Sequence, residues 1–359
     1  MDLPLSCQGT TFGRLQKEYD VIVVGAGTAG SFFCANAPKE TSILLVDMRQ
    51  FPREKPCGGL LVEESVNTLK GLGVPKDVTS RHSPCDLVHV DLDSNKTIVQ
   101  KKRLVNLNRK KFDYWLLSHG LKSNVDFVPE TNAVSVSQSK AGVSVTLQNQ
   151  GKTQAVTAKY LVGADGATSM VRKAVTAKKV SLSLAVEDYI LPKGKSVDST
   201  YFVYSNAIND YYSWIIPKDD LLLIGTVFPL GSQQKMDFLH GILKEKLGVY
   251  GVHNRRLAHL LSRPSSPDEL CFGNGNNIFL IGEAAGMVTS STGEGISYAL
   301  RSSKYLGDAL LSSDVAGAYS SSVTSLVHEL TRKMAKAKLF SEAGSRRKEF
   351  EKILSTTSK

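Results

Sequence analysis

The sequence predicts an α/β fold in which buried parallel strands and helices are interleaved with a second, antiparallel sheet. Two observations lead to this prediction. Near the N-terminus, two short apolar runs flank a glycine-rich loop and a helix-compatible segment, which is the order of a β-α-β unit. In the middle of the chain, several short runs of β-branched and aromatic residues lie close together, a pattern typical of antiparallel strands.

The composition excludes several classes of protein. The chain has 359 residues, of which 42% are hydrophobic and 22% charged, enough to bury the core of one large domain or two interlocked ones. This apolar content excludes disorder, and no collagen-like or coiled-coil bias is present. No run of about 18 apolar residues is available to span a membrane, and residues 1–14 lack the apolar stretch of a secretory signal. We therefore expect a cytoplasmic protein.

The cysteines and charges restrict the possible ligands. The cysteines are scattered without a C-x-x-C pair, which indicates free thiols in a reducing compartment, and we expect no metal site. The net charge is +10, and residues 325–359 supply half of it with nine basic and four acidic residues. A basic face attracts phosphate-bearing ligands, anionic lipid or nucleic acid, or it is a solvated helix surface. The five cysteines are Cys7, Cys34, Cys57, Cys85 and Cys271.

The first apolar run, residues 19–24, predicts a buried parallel strand because it is apolar on both faces. It leads directly into a G-x-G-x-x-G loop. In such a loop Gly25 allows the tight turn, Gly27 lets a pyrophosphate approach the backbone, and Gly30 lets the helix pack closely on the strand. A second buried strand, residues 42–46, ends at Asp47, 22 residues after Gly25. This order of strand, loop, helix, strand and acid predicts dinucleotide binding. Asp47 is expected to hydrogen-bond to the hydroxyls of a ribose.

Two later segments predict further contacts to a long cofactor. Residues 160–172 form a strand that runs through Asp165 and Gly166 into a helix start. Residues 277–286 form another apolar strand that ends in Gly-Glu-Ala-Ala-Gly. It leads through a second glycine-rich stretch, residues 290–295, into an amphipathic helix that begins at Ile296. The acid of this stretch, Glu283, can bind ribityl hydroxyls. The positive end of the helix dipole at the helix N-terminus can face the electron-rich edge of a flavin.

These segments together resemble the p-hydroxybenzoate-hydroxylase-like flavoproteins, and within them the geranylgeranyl reductase family, which is related to flavin-dependent halogenases. The resemblance rests on Lys-Pro-Cys-Gly-Gly at 55–59, Tyr-Ser-Trp-Ile-Ile-Pro-Lys at 212–218, Ser-Thr-Gly-Glu-Gly-Ile-Ser at 291–297 and Arg-Lys-Lys-Phe-Asp at 109–113. It implies an α/β fold with a Rossmann-like FAD-binding domain interleaved with an antiparallel-sheet substrate domain, plus C-terminal helices. It also implies FAD as the cofactor.

The resemblance assigns roles to particular residues. Arg109 contacts the FAD, while Asp165 and Gly282 lie along its pyrophosphate and ribityl chain. Cys57 lines the reaction site or is a buried small residue, and Tyr212 and Trp214 form an aromatic wall or belong to the core. The candidate catalytic residues are Cys57, Tyr212 and Trp214. The candidate cofactor-binding residues are Gly25, Gly27, Thr28, Ala29, Gly30, Asp47, Met48, Arg49, Cys57, Gly58, Gly59, Arg109, Asp165, Gly166, Gly282, Glu283, Gly286, Gly293, Gly295 and Ile296.

Three positions depart from the family pattern. Glu283 stands where the family has aspartate, so its contact has to shift or pass through water. Ser290 replaces a proline and is expected to loosen a turn beside the flavin. Ile216 replaces the Phe of the Phe-Pro pair, which brings the motif within one residue of the halogenase signature Trp-x-Trp-x-Ile-Pro. Halogenases also use a lysine near the flavin, and Lys55 is the obvious candidate.

The interleaving predicts the domain organisation. We expect an FAD-binding domain over residues 17–84, 103–178 and 268–320, a substrate domain over 85–102 and 179–267, and a basic helical segment over 321–359. Strands are predicted over 85–90, 182–186, 200–204 and 221–224, forming one antiparallel sheet closed by a helix over 233–247. A hairpin over 131–138 and 142–148 turns through Lys140-Ala-Gly142. The stripe Val327, Leu330, Met334 and Ala337 predicts a helix packed on the domain or lying at a membrane interface.

Three hypotheses about function follow. The first is an FAD-dependent reductase of C=C bonds in an isoprenoid or lipid-like substrate, and the second is an FAD-dependent monooxygenase or halogenase. The third is a flavin-binding protein without turnover. Because the sequence holds one complete dinucleotide fingerprint, the electrons come from transiently docked NAD(P)H or another reductant. The expected partner is an apolar small molecule, with or without a phosphate. Peripheral contact of the protein with a membrane is compatible with such a substrate. We expect no binding to nucleic acid.

Overall fold

A computed structural model describes residues 10–139, 142–232 and 235–357. The strands are β1 (Glu18–Val24), β2 (Ile43–Val46), β3 (Leu60–Leu61), β4 (Cys85–Asp91), β5 (Lys96–Asn106), β6 (Val125–Val128), β7 (Thr131–Ser139), β8 (Gly142–Asn149), β9 (Lys152–Gly163), β10 (Leu182–Pro192), β11 (Thr200–Tyr204), β12 (Ser213–Lys218), β13 (Leu221–Pro229), β14 (Gly251–Ser262) and β15 (Ile278–Leu280). The helices are α1 (Thr28–Asn36), α2 (Glu63–Leu69), α3 (Arg109–Gly120), α4 (Met170–Val175), α5 (Met236–Leu247), α6 (Ile296–Ala309), α7 (Val315–Ser341) and α8 (Ala343–Thr357).

The first sheet has the order β6-β2-β1-β9-β8-β7, with β15 also paired to β9. Strands β6, β2, β1, β9 and β15 are parallel, whereas β7, β8 and the first part of β9 form an antiparallel meander. All four residues of β2 are buried, as a continuous apolar run between two neighbours requires. Helix α1 packs against α3 and α6. The parallel strands end at one edge of the sheet, so the loops that follow them meet there.

The second sheet has the order β14-β10-β13-β12-β11-β4-β5-β3. Its neighbours are antiparallel except β4 and β11, which run parallel with Leu87 opposite Thr200, an exception to the predicted all-antiparallel pairing. The domain boundary expected between residues 102 and 103 falls inside β5. The predicted α/β architecture, with its Rossmann-like sheet, interleaved second sheet and C-terminal helices, is confirmed.

One face of the second sheet packs on α5, where Met236, Leu239 and Leu243 are buried. Asp188 on β10 points to this side and is 0% exposed. Its carboxylate accepts hydrogen bonds from Arg256 at 2.7 and 2.9 Å, and Nε2 of His240 lies 2.8 Å away. Burial acts to raise the pKa of Asp188, but these partners outweigh it and hold the pKa well below its usual range. These contacts therefore connect α5 and the edge strand β14 to β10.

The basic C-terminal segment forms two helices, α7 and α8, and not one continuous helix, because the backbone is extended at Glu342. Leu330 and Met334 of α7 are buried in the core of the first sheet, whereas Val327 and Ala337 of the same stripe are half-buried. Arg346 of α8 is 0% exposed and contacts Asp91 and Asp93 beside the second sheet. Within the described ranges, no helix combines the length and the apolarity that crossing a membrane requires.

Most predicted elements coincide with observed ones. Strand β11 begins and ends where the sequence predicts it, and the hairpin strands are β7 and β8. The turn residues Lys140 and Ala141, the first two residues of the helix predicted over 233–247, and Cys7 lie outside the described residues. The other four cysteines are free thiols.

We predict that Asp188→Asn lowers the free energy of unfolding by about 2 kcal/mol, because Arg256 loses its charge-assisted hydrogen bonds to the buried carboxylate. Since the pKa of Asp188 is lower in the folded than in the unfolded chain, its contribution is complete above the unfolded pKa and disappears as the pH falls below about 4. Denaturant unfolding of the two proteins at several pH values measures both effects. Equal stabilities at pH 7, or a difference that grows as the pH falls, would contradict the prediction.

Candidate functional site

The three glycines of the first loop differ in their surroundings. Gly25 has φ +103°, and a Cβ on it would lie 2.4 Å from the carbonyl oxygen of Ala164. A Cβ on Gly30 would lie 1.9 Å from the carbonyl oxygen of Gly25, so this glycine permits the close packing of α1 on β1. A Cβ on Gly27 meets only Nη2 of Arg53, at 3.7 Å. The protein therefore leaves space beside Gly27, where a phosphate is expected to approach the backbone.

Two helices begin at the same cavity without a side-chain cap. Helix α1 starts after Gly27 and α6 starts after Gly295, and neither of these N-cap glycines has a side chain that could accept a hydrogen bond from the first amides of its helix. Both glycines line the cavity. Unsatisfied N–H groups and the positive end of the helix dipole favour anionic groups, such as a pyrophosphate or the electron-rich edge of a flavin.

The predicted ribose-binding acid is held in place by backbone amides. Asp47 is 8% exposed, and its two carboxylate oxygens accept hydrogen bonds from the amides of Ala26 and Arg49, each at 2.8 Å. The acid thus fixes the glycine loop while it keeps lone pairs toward the cavity that it lines. Contact between Asp47 and a ribose remains a prediction.

The loops enclose a cavity of about 1530 Å³ between the two sheets. It exceeds the roughly 300–1,000 Å³ of a usual small-molecule site, so it has room for a dinucleotide and a second molecule. The predicted residues that line it are Gly25, Gly27, Thr28, Ala29, Asp47, Met48, Arg49, Cys57, Gly58, Gly59, Arg109, Asp165, Gly166, Tyr212, Trp214, Glu283, Gly293, Gly295 and Ile296.

Three predicted residues do not line the cavity, namely Gly30, Gly282 and Gly286. Gly282 lies behind Ala29 and Ala299, and its amide donates to Oγ of Ser302 at 3.0 Å. Gly286 has φ +78° and lies against the carbonyl oxygen of Glu269. The positive φ of +56° at Gly282 turns the chain behind the cavity lining, and the expected contact of Gly282 with the cofactor remains a prediction.

The two acids assigned to the later segments are already engaged by protein. Asp165 accepts hydrogen bonds from Oγ of Ser169 and from the amide of Met170, so it caps the start of α4. Burial raises the pKa of Asp165. Glu283 accepts from the amide of Ser262 at 2.9 Å, a contact that the longer side chain makes possible. Both residues still border the cavity.

The turn at Ser290 is fixed rather than loosened, contrary to the expectation from the missing proline. Ser290 is 4% exposed, and its hydroxyl donates to the carbonyl oxygen of Pro264. Arg263 Nε donates to the carbonyl oxygen of Ser290 at 3.3 Å. A side-chain hydrogen bond therefore replaces the backbone restriction that a proline supplies.

An arginine pair lies beside the glycine loop. Arg109 donates two hydrogen bonds of 3.0 Å to Asp113, and Arg53 lies 3.6 Å from the same carboxylate. Burial acts to lower the pKa of Arg109, but Asp113 and the sulfur of Cys57 outweigh it and raise the pKa. Arg53 also lies over the ring of Phe51, near the open side of Gly27. The sequence did not single out Arg53, which is placed to contact a pyrophosphate.

A buried lysine connects the Cys57 turn to the second sheet. Nζ of Lys218 on β12 donates to the carbonyl oxygens of Gly58 at 2.7 Å and Leu107 at 2.8 Å, and to Oδ1 of Asn106. Burial lowers the pKa of Lys218 to about 8. The sulfur of Cys57 accepts a hydrogen bond from the amide of Gly59 at 3.3 Å and lies in the cavity lining. Two motifs that are far apart in sequence thus form one surface.

The aromatic wall consists of Phe202, Tyr212 and Trp214, which all line the cavity. The ring centroids of Tyr212 lie 4.2 Å from Phe202 and 6.0 Å from Trp214. The Tyr212 hydroxyl donates to the carbonyl oxygen of Thr292 at 2.6 Å, and burial raises the pKa of Tyr212. Neighbouring Gly225 makes room for the indole of Trp214, because a Cβ there would lie 2.4 Å from the ring.

Glu187 and His259 are among the titratable residues of the cavity lining that the sequence analysis did not single out. Burial raises the pKa of Glu187 to about 7 and lowers the pKa of His259 to about 3. The adjacent acids Glu187 and Asp188, which directly follow the predicted strand at 182–186, were the available signal for Glu187. His259 lies in β14, whose strand character the sequence analysis did not predict.

The open glycine loop, the two uncapped helix starts and the size of the cavity fit FAD, and together they define a flavoprotein of the FAD-dependent oxidoreductase class. The chain belongs to the FAD binding domain family, whose model matches residues 18–200. It is 31% identical over 308 residues to Protein CbrA of Escherichia coli O157:H7, covering 82% of this chain and 85% of that protein.

Solved structures share the fold at low sequence identity. A geranylgeranyl bacteriochlorophyll reductase-like protein from Thermoplasma acidophilum superimposes with a TM-score of 0.76 and 18% identity, covering 92% of this chain and 89% of the other. The p-nitrophenol 4-monooxygenase PnpA from Pseudomonas putida DLL-E4 has a TM-score of 0.75 and 15% identity, covering 94% and 93%. These similarities show the common fold, and they include two different kinds of chemistry.

We predict that Gly27→Val abolishes FAD binding while the protein stays folded. The new side chain meets no protein backbone within 4 Å, so it occupies the space intended for the phosphate. The flavin absorbance of the purified protein measures FAD binding, and its far-ultraviolet circular dichroism measures whether it is folded. Gly71→Val is the matched control, since nothing lies within 4 Å of a Cβ at Gly71, and it is expected to keep its flavin. Stoichiometric FAD in Gly27→Val would refute the assignment of the loop.

Proposed function

We propose that the protein is an FAD-dependent reductase of C=C bonds in an isoprenoid or lipid-like substrate. The observation that carries the proposal is the junction of the Cys57 turn with β12. Lys218 holds Gly58 at 2.7 Å, and the aromatic wall continues along the same strand into the cavity. The name of the Thermoplasma acidophilum protein, a geranylgeranyl bacteriochlorophyll reductase-like protein, supports the proposal at the level of the fold.

The chain's own residues bind and orient the reactants. Arg53, Arg109 and the amides of the glycine loop are suited to hold the cofactor, which supplies hydride transfer when it is bound. Phe202, Tyr212 and Trp214 offer apolar surface to a hydrocarbon chain and exclude water. We propose NAD(P)H or another reductant as the electron donor and an apolar small molecule, with or without a phosphate, as the substrate.

A monooxygenase or halogenase is the second candidate function. It is favoured by the Ile216-Pro217 pair and by Lys55, which lines the cavity. The structural similarity to PnpA, a p-nitrophenol 4-monooxygenase, is compatible with it. In contrast, Lys218 is fully engaged by three acceptors and is not available as the reactive lysine that such chemistry needs. A flavin-binding protein without turnover is the third hypothesis.

We predict that the reduced protein, kept strictly free of oxygen, is reoxidised by a prenyl alkene with formation of the saturated product. Stopped-flow absorbance follows the flavin, and mass spectrometry of the product should show a gain of two hydrogens. The control is the same protein without alkene. Reoxidation that needs oxygen and yields a hydroxylated or halogenated aromatic would favour the second candidate, and absence of any turnover would favour the third.

We predict that affinity rises with the length of the substrate chain until the cavity is filled. Each added apolar unit buries surface worth roughly 25 cal/mol per Å². Trp214→Ala should weaken the longest ligands most, whereas Phe238→Ala, an exposed aromatic residue on α5 outside the cavity, should not. Titration of flavin fluorescence with alkenes of rising length, with and without a phosphate, measures this. Affinities independent of both length and Trp214 would rule out the isoprenoid substrate.

A further inference from the structure

Glu187 is an anomaly in the second sheet. It is 0% exposed, and neither carboxylate oxygen has a hydrogen-bond partner among the described residues. Its neighbour Asp188 points to α5 and is fully paired, so Glu187 points to the opposite face, where it lines the cavity. An unpaired buried carboxylate is costly, which favours the protonated, neutral form. A carboxylic acid without a structural partner at a cavity is a candidate functional group.

The sheet register places this acid next to the aromatic wall. Glu187 pairs with Gly225 on β13, Gly225 pairs with Trp214 on β12, and Trp214 pairs with Phe202 on β11. Residues directly opposite one another share a face of the sheet, so all four belong to one row. The indole of Trp214 lies over Gly225, the position beside Glu187. Glycine at this position therefore lets an aromatic face approach the acid.

Several charged or titratable groups influence Glu187. Lys218 on β12, Arg109 on α3 and Lys55 before the Cys57 turn favour its ionised form. The backbone amide of Cys57 acts in the same direction, although it does not reach hydrogen-bond geometry with either carboxylate oxygen. Tyr189, on the same strand, is also coupled to it. Burial outweighs these effects, and the pKa of Glu187 is raised to about 7. The acid is thus able both to give up a proton and to regain it near neutral pH.

The chemistry of the proposed substrate requires such an acid. An alkyl-substituted C=C bond is electron-rich and accepts hydride poorly until one of its carbons is protonated. Protonation develops positive charge on the other carbon, and the faces of Trp214 and Phe202 can stabilise that charge. A site with an acid beside an aromatic wall can therefore protonate one alkene carbon and stabilise the positive charge on the other.

We propose that Glu187 is the proton donor of the site, an inference that rests on the proposed reductase function. The Glu187 O–H bond breaks, and its proton forms a C–H bond at one alkene carbon as the π bond is lost. The hydride supplied by the reduced cofactor forms the second C–H bond at the other carbon. The substrate gains two electrons and two hydrogens, the cofactor loses two electrons, and solvent reprotonates Glu187.

Other groups that line the cavity suit this role less well. The sulfur of Cys57 accepts a hydrogen bond from the amide of Gly59, and a thiol is a weaker acid than a carboxylic acid. The Tyr212 hydroxyl already donates a hydrogen bond to the carbonyl oxygen of Thr292. His259 is neutral at physiological pH, and a neutral imidazole is a poor acid. Asp165 and Glu283 have hydrogen-bond partners of their own.

The test compares Glu187→Gln with the wild-type protein and with Glu40→Gln, an exposed carboxyl outside the cavity. In the oxygen-free reoxidation by alkene, Glu187→Gln should be about 100-fold slower or more at equal substrate affinity. The wild-type and Glu40→Gln rates should fall as the pH rises through about 7, whereas Glu187→Gln should lose this dependence. Glu187→Asp, which keeps the acid on a shorter stem, should recover part of the rate.

A second measurement does not depend on turnover. Infrared spectra of the flavin-free protein should show a protonated carboxylic acid at pH 6 that is lost by pH 8.5, retained in Glu40→Gln and absent in Glu187→Gln. If the wild type is reoxidised by alkene but Glu187→Gln matches its rate and pH profile, the inference alone is overturned. A missing acid band also overturns it. If no alkene reoxidises the wild type, the proposed function fails, and the proton-donor role fails with it.

Discussion

The buried ammonium of Lys218 joins the Cys57 turn to two strands of the second sheet, β12 and β5, beside the cavity, and the candidate site depends on this contact. The lysine belongs to β12, yet its acceptors are Gly58 in the Cys57 turn and Asn106 and Leu107 at the end of β5. Burial lowers the pKa of Lys218 to about 8, so the group is still charged at neutral pH, and its hydrogen bonds are of the strong, charge-assisted kind. Loss of the lysine would leave buried acceptors without a partner.

The first sheet supplies the cofactor side of the cavity through close packing. Gly25 and Gly30 bring the start of α1 against β1 and β9, and Asp47 fixes the intervening amide of Ala26. This leaves Gly27 open, with Arg53 above it. The amides of the loop and the arginines therefore converge on one place, which is the arrangement that a pyrophosphate requires.

The second sheet brings an acid to the cavity through the alternation of side chains along β10. Asp188 is used for stability, because its charge is paired on the side of α5, whereas Glu187 on the other face has no hydrogen-bond partner within the part of the chain that the structure describes. The same strand thus contains one carboxyl that holds the fold together and one that the fold leaves available. The aromatic wall beside Glu187 gives the cavity both an apolar surface and an acid.

The sequence by itself determined the units whose information is local: the strand, glycine loop, helix and acid from residue 18 to Asp47, the short strands such as β11, and the FAD binding domain family. Most of the site residues that the sequence singled out line the cavity. Only the tertiary structure decided the parallel pairing of β4 with β11, the position of Gly282 behind the cavity lining, the fixed turn at Ser290, and the importance of Arg53, Glu187, Lys218 and His259. The physical reason is that burial and hydrogen bonding depend on partners distant in sequence. Gly58 and Lys218 meet across 160 residues, and no local pattern specifies such a contact.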